Sequence, residues 1–157
     1  MEEEAKPAQT DPPRGIYPAR VDDKGRLKLP VNFERFLSGE PLFVTSWDGR
    51  MARIYKLPVW QENERLLFAE TDDPEAAEDL SFLAYKYGAD SDVDGQGRLL
   101  MPTDLRRELG LENQPVFLEY SNGAVNVYNK AIHDEREQRA KQNRAEKLSA
   151  FKKKGLK

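Results

Sequence analysis

The chain has 157 residues, of which 34% are charged, and a formal net charge of −3 at pH 7. It contains no cysteine, which excludes a disulfide framework, a thiolate zinc site and a cysteine nucleophile and fits a reducing compartment such as the cytoplasm. No apolar run approaches the roughly 20 residues that a membrane span requires. Because the net charge is acidic, a nucleic-acid-binding surface would have to be local.

The chain begins with an acidic, proline-rich stretch, residues 1–14, that lacks periodicity and is predicted to be a disordered arm. Residues 16–21 follow as a first strand, in which Pro18 indicates a sheet edge or an irregularity. The pattern Asp-x-x-Gly-Arg comes next, over residues 22–26. Its glycine, Gly25, indicates a tight turn with a positive φ angle.

The segment after this turn alternates between polar and apolar residues, from Arg26 to Leu29. Alternation of this kind predicts a half-buried strand. Leu27 and Leu29 are expected to face the core, whereas Arg26 and Lys28 are expected to face outward together.

A short helix and a hairpin complete the first unit. Pro30 is suited to a helix start, and Gly39 lies just past the helix end. Residues 41–47 and 50–56 flank the dipeptide Asp48-Gly49. This pattern predicts two antiparallel strands joined by a type I′ turn.

Two helices are predicted in the middle of the chain, over residues 58–70 and 73–87. Asp73 is placed to cap the second of them, and Gly88 to end it. Its predicted apolar stripe consists of Ala76, Leu80, Leu83, Ala84 and Tyr87. The many acidic residues here are interpreted as a solvated face, so no metal site is predicted.

The first unit then recurs at an offset of 72 residues, with Val93–Pro102 matching Val21–Pro30. When the comparison is extended to residues 21–37 and 93–109, the identical positions are Val21/Val93, Asp22/Asp94, Gly25/Gly97, Arg26/Arg98, Leu27/Leu99, Pro30/Pro102 and Arg35/Arg107. Leu100 breaks the alternation, which predicts that the outer face of this copy is partly covered. A second hairpin is predicted around Asn122-Gly123. A repeat of this kind determines how the fold is interpreted.

The last segment, residues 130–157, carries ten Lys or Arg and four Asp or Glu residues. It is predicted to form a polar, basic helix or tail, which either binds phosphates non-specifically or serves only solubility. His133 is the single histidine of the chain and is expected to be exposed. With no catalytic constellation and no phosphate-binding glycine loop, the sequence does not indicate an enzyme.

Two interpretations of the Asp22/Arg26 and Asp94/Arg98 pairs remain open from the residues alone. Each pair could be an ion pair that only fixes its turn, which is the more common case on protein surfaces. Alternatively, each aspartate could orient its arginine toward an anionic partner.

The two Asp-x-x-Gly-Arg units, each followed by a strand, a proline, a helix and a hairpin, resemble the MraZ family of bacterial regulators. The similarity covers roughly residues 15–135. It implies an α+β fold of the AbrB-like (double-psi, swapped-hairpin) class, in which the repeats form an internal pseudo-dimer with connecting helices and a polar C-terminal helix. The expected division is an arm at 1–14, a first repeat at 15–57, connecting helices at 58–87, a second repeat at 88–130 and a basic tail at 131–157.

The resemblance also implies a function. Members act as homo-oligomeric rings that bind promoter repeats of double-stranded DNA, here as a repressor of the division and cell-wall gene cluster, in the cytoplasm and nucleoid, without a cofactor. The residues implied to contact DNA are Arg20, Lys24, Arg26, Lys28, Gln96 and Arg98. Asp22 and Asp94 would position the arginines, and Gly25 and Gly97 would form the turns.

The chain departs from the family pattern at one position that bears on this function. An arginine usually follows the aromatic residue of the first helix, whereas this chain has Glu34 there and keeps Arg106 in the second copy. The family's usual tryptophan is also missing around residues 131–134. The alternative functions are a ring-forming scaffold whose arginines form ion pairs between subunits, and an AbrB-like antitoxin whose basic tail binds an acidic partner.

Overall fold

The computed structural model describes residues 11–157. Their elements, in chain order, are β1 (Tyr17–Arg20), β2 (Arg26–Lys28), α1 (Val31–Leu37), β3 (Leu42–Thr45), β4 (Ala52–Lys56), α2 (Leu57–Phe68), α3 (Pro74–Tyr87), β5 (Ala89–Ser91), β6 (Arg98–Leu100), α4 (Thr103–Glu108), β7 (Pro115–Ser121), β8 (Ala124–Asn129), α5 (Lys130–Lys141) and α6 (Arg144–Lys153). The α+β class is therefore confirmed. Most of the predicted arm, residues 1–10, lies outside the described residues; residues 11–14 form no helix or strand, and Pro13 is buried.

The strands form two antiparallel sheets that interleave the halves of the chain. The larger sheet has the order β1-β7-β8-β4-β3-β5, and the smaller one pairs β2 with β6. In the larger sheet, β1 of the first half pairs with β7 of the second, with Tyr17 opposite Leu118. Conversely, β5 pairs with β3 of the first half, with Phe43 opposite Asp90. Each hairpin thus accepts a strand from the other repeat, which is the swapped arrangement that the resemblance implies.

The main core lies beneath the small sheet and is shared by both halves. Leu27 and Leu99 are directly opposite each other in the β2–β6 pair, and both are fully buried. Leu29, just after β2, is also buried, at 2% exposure, so the predicted burial of Leu27 and Leu29 is confirmed. Phe33 of α1 and Leu105 of α4 pack into the same core. Both repeats therefore contribute side chains to one core.

The two hairpins close differently. Asn122 and Gly123 both have positive φ angles, 53° and 82°, as a type I′ turn requires. In the first hairpin Gly49 has a positive φ angle, 68°, but Asp48 does not. The Asp48 carboxylate instead accepts the backbone N–H groups of Arg50 and Met51, which holds a wider loop. The predicted type I′ turn at Asp48-Gly49 is therefore wrong.

Helix α3 begins as predicted, with the Asp73 side chain accepting the Ala76 N–H at 3.1 Å. Its buried face matches the prediction only in part. Ala84 of the predicted stripe is buried, as is Ala77, which was not in it, whereas Leu80 and Leu83 are 40% and 43% exposed. The contact face of α3 is therefore formed by small side chains, and larger apolar side chains remain uncovered in the single chain. No helix among residues 11–157 is long and apolar enough to cross a membrane.

The basic tail forms two helices rather than one. Asn143 has a left-handed φ angle of 54° and separates α5 from α6, which is exposed along its whole length. Helix α5 is attached to the sheet by His133, whose ring stacks on that of Phe117 with 4.0 Å between their centroids. His133 is thus partly buried, not exposed as expected.

Candidate nucleic-acid interface

The first Asp-x-x-Gly-Arg unit folds into a turn that is organised by one carboxylate. Asp22 Oδ1 accepts the backbone N–H groups of Lys24 at 3.0 Å and of Arg26 at 2.9 Å. Asp22 Oδ2 accepts the side-chain Nε–H of Arg26 at 2.9 Å. The Gly25 N–H closes the turn on the Asp22 carbonyl at 3.0 Å, and Gly25 has a positive φ of 85°. We call residues 22–26 the first turn.

The second unit repeats this geometry, and we call residues 94–98 the second turn. Asp94 Oδ1 accepts the backbone N–H groups of Gln96 at 2.8 Å and of Arg98 at 2.9 Å. Asp94 Oδ2 accepts the Nε–H of Arg98 at 3.1 Å. Gly97 has a φ of 73°. The sequence repeat is therefore matched by two turns with the same hydrogen bonds.

These hydrogen bonds favour the charged form of both aspartates. The backbone N–H of Arg26 is the main reason that the pKa of Asp22 is lowered from 3.8. The backbone N–H of Arg98 lowers the pKa of Asp94 in the same way. Both carboxylates are therefore ionised at neutral pH, and each holds the Nε of its own arginine.

The Nη atoms of both arginines are available for binding. Among residues 11–157, the two Nη atoms of Arg26 and those of Arg98 have no hydrogen-bond or ion-pair partner. Their side chains are 29% and 25% exposed. A guanidinium anchored at Nε and free at both Nη atoms has donors available for an anion or a base edge.

The small sheet combines the two turns into one surface. Lys28 is opposite Arg98 in the β2–β6 register, and Arg26 is opposite Leu100. The Lys28 ammonium also donates to the Gln96 carbonyl in the second turn, at 2.5 Å. We call the exposed side chains of residues 22–28 and 94–100 the two-turn surface. Leu100 is 57% exposed on it, so the predicted cover of this face is absent in the single chain.

Five of the six residues implied to contact DNA lie on the two-turn surface. The exception is Arg20, which belongs to the edge strand β1 of the larger sheet. It nevertheless lines one shallow hollow together with Lys28. The predicted residues are thus Lys24, Arg26, Lys28, Gln96 and Arg98 on the surface, and Arg20 beside it.

Two further charged residues cover the turns, and each comes from the opposite half. The Arg106 guanidinium of α4 lies over Gly25, because a Cβ added to that glycine would be 1.4 Å from Nη1. The Glu34 carboxylate of α1 lies over Gly97, where an added Cβ would be 2.7 Å from Cδ. The repeat shows that positions 34 and 106 are equivalent, but it does not indicate that each side chain contacts the turn of the opposite half.

A glycine pair in the second turn provides a test of this geometry. Gly97→Ala should lower the free energy of unfolding by about 1–2 kcal/mol, because alanine disfavours a left-handed φ and would displace Glu34. Gly95→Ala should change the free energy of unfolding by less than about 0.5 kcal/mol, since a Cβ added at Gly95 would have no atom of a non-adjacent residue within 4 Å. Urea unfolding followed by circular dichroism measures both. Equal losses for the two variants would contradict the turn geometry.

Comparison with known proteins gives the family. No protein-family model matches the chain. It is 34% identical over 114 residues to the transcriptional regulator MraZ of Koribacter versatilis, covering 68% of this chain and 78% of the relative. The identity to the protein of the same name from Halorhodospira halophila is 36% over 113 residues, covering 69% and 74%. The corresponding protein of Acidobacterium capsulatum is 42% identical over 97 residues, covering 59% and 66%. On the strength of these identities, the chain belongs to the MraZ family of transcriptional regulators.

Proposed function

We propose that the protein is a sequence-specific DNA-binding regulator that contacts duplex DNA through its two turns. The observation that carries this proposal is the pair of arginines, each anchored through Nε and free at both Nη atoms. An arginine held in this way can form a two-point contact with guanine O6 and N7 or with phosphate oxygens. A positioning aspartate reduces the side-chain freedom that binding would otherwise remove.

The other residues of the two-turn surface have supporting roles in this proposal. Lys24 and Lys28 are exposed cations and would contact phosphates, which fixes the orientation of the protein on the duplex. Arg20 would extend this contact along the hollow that it shares with Lys28. Gln96 carries a side-chain amide that can donate to and accept from a base edge.

We further propose that the chain acts as a homo-oligomeric ring. Support comes from α2 and α3, which leave Leu66, Phe68 and Phe82 exposed at 68%, 94% and 67%. An apolar patch of this kind is typical of a surface that another protein subunit covers. A ring would present several copies of the two-turn surface to repeated DNA sites, and later contacts would then be effectively intramolecular.

In this proposal the functional units are the repeats at 15–57 and 88–130, both of which contribute to the two-turn surface. The connecting helices at 58–87 would serve assembly, and the segments at 1–14 and 131–157 would be an arm and a basic tail. The target would be the repeats in the promoter of the division and cell-wall gene cluster, with repression as the outcome. The protein would then act in the cytoplasm, at the nucleoid.

Fluorescence anisotropy across a salt series tests the proposal. The full chain should bind the DNA upstream of its own gene more tightly than a scrambled duplex of the same length. The logarithm of its association constant should fall linearly with the logarithm of the salt concentration, with a slope of about 0.9 per phosphate neutralised. Equal affinity for both duplexes would contradict sequence-specific regulation, and so would binding that does not depend on salt.

A further inference from the structure

The two turns share their internal hydrogen bonds but differ in the residue that covers them. Helices α1 and α4 are equivalent elements of the repeat, and each extends over the turn of the opposite half. Arg106 of α4 covers Gly25 in the first turn, and Glu34 of α1 covers Gly97 in the second. A cation therefore lies on one turn and an acid on the other.

Arg106 is firmly held over the first turn. Its Nη1 donates to the Met101 carbonyl at 2.8 Å, and its Nη2 donates to Thr103 Oγ1 at 3.3 Å. Its Nε forms an ion pair with Glu112 at 3.2 Å, and the side chain is only 12% exposed. The first turn therefore has a fixed guanidinium packed against its glycine.

The carboxylate of Glu34 lacks such partners. Among residues 11–157, it accepts no hydrogen bond and forms no ion pair, although Glu34 is partly buried. Both carboxylate oxygens lie within 2.8 Å of where a Cβ on Gly97 would be. An unpaired negative charge therefore lies against the turn that presents Arg98.

The sequence of the turns increases this difference. Where the first turn has Lys24, the second has the uncharged Gln96. The Lys28 ammonium crosses from β2 to the second turn and donates to the Gln96 carbonyl. That hydrogen bond occupies one of the three N–H donors of Lys28.

We infer that Glu34 makes the two turns unequal in DNA binding, by repelling phosphate from the second turn and so weakening the contact of Arg98. The first turn, which presents Arg26 and is covered by Arg106, then binds DNA more strongly than the second. This inference rests on the proposed DNA-binding function. Its physical basis is the repulsion between the unpaired carboxylate and a DNA phosphate, which is strongest at low salt.

The variant Glu34→Gln tests the inference, because it removes the charge and nearly keeps the shape. At low salt, the full-length variant should bind both the upstream duplex and the scrambled duplex about three- to tenfold more tightly than the wild type. The gain should shrink as salt is added. Glu62→Gln is the matched control, since it removes the same charge from an exposed position on α2, and it should change the affinity by less than about twofold.

A double-mutant cycle locates the effect. Arg98→Ala should cost more affinity in the Glu34→Gln background than in the wild type, whereas the cost of Arg26→Ala should be the same in both. A purely structural role of Glu34 would not produce this difference between the two arginines. The inference is overturned if Glu62→Gln tightens binding as much, or if both arginine costs are unchanged.

The remaining outcomes are equally decisive. If Glu34→Gln weakened binding to the upstream duplex alone, Glu34 would be reading a base, and the inference would be wrong. If the wild type bound the upstream duplex selectively but Glu34→Gln had no effect, the proposed function would stand and the inference would fail. A wild type that bound neither duplex would contradict both.

Discussion

Replacing both Arg26 and Arg98 by alanine should lower the affinity for the upstream DNA by about 30-fold or more. Each two-point arginine contact with a base contributes about 1–3 kcal/mol, and the variant would remove one from each turn. Stability should change little, because each arginine bonds to its aspartate near the surface, where such pairs contribute little. Anisotropy with the upstream duplex measures the affinity, and urea unfolding measures the stability.

The repeat itself provides a matched control for this variant. Arg35 and Arg107 are also equivalent, carry the same charge and are exposed on α1 and α4. Replacing both by alanine should reduce affinity far less, because their loss changes only the general charge. Equal losses in the two double variants would contradict a specific role for the turns. Size-exclusion chromatography must show the wild-type assembly for each variant. Disassembly would indicate that the arginines belong to a subunit interface instead.

Trp60→Ala should lower the free energy of unfolding by about 3–5 kcal/mol. Trp60 is 2% exposed and attaches α2 to the larger sheet. Its ring stacks on Phe43 at 4.4 Å between centroids and lies 5.4 Å from both Trp47 and Tyr55. Truncation would leave a cavity that these rings cannot readily fill.

A second aromatic residue on the same helix provides the control. Phe68, at the C-terminal end of α2, is 94% exposed in the single chain. Phe68→Ala should therefore change the free energy of unfolding by less than about 0.5 kcal/mol in the monomer. Urea unfolding at several protein concentrations separates this from any contribution of assembly. A loss as large as that of Trp60→Ala at every concentration would show that Phe68 is buried in the fold.

The features that were predictable from the sequence are those whose contacts are local. Asp22 and Arg26 are four residues apart, so the motif itself contains the partners of the first turn, and the same holds for the second. The cap of α3 by Asp73 and the burial of Leu27 are likewise apparent from short patterns.

Contacts between the halves could not be predicted from these patterns. In the sequence, Glu34 and Arg106 lie far from the turns that they cover. A repeat shows which positions are equivalent, but it does not show which of them are in contact. The orientation of α3 was missed for a related reason, since Leu80 and Leu83 form a regular stripe that the single chain leaves exposed. Periodicity indicates an apolar face but does not identify what covers it.

The exchange of strands between the repeats has a consequence for biosynthesis. Tyr17 pairs with Leu118, and Arg26 pairs with Leu100, so these pairings close loops that span much of the polypeptide. Closing long loops is entropically costly, and folds dominated by such contacts form slowly. As the nascent chain leaves the ribosome, the first repeat emerges without β6, β7 or β8. Its leucines therefore stay accessible to chaperones, and to the wrong strands, until the strands of the second repeat have emerged as well.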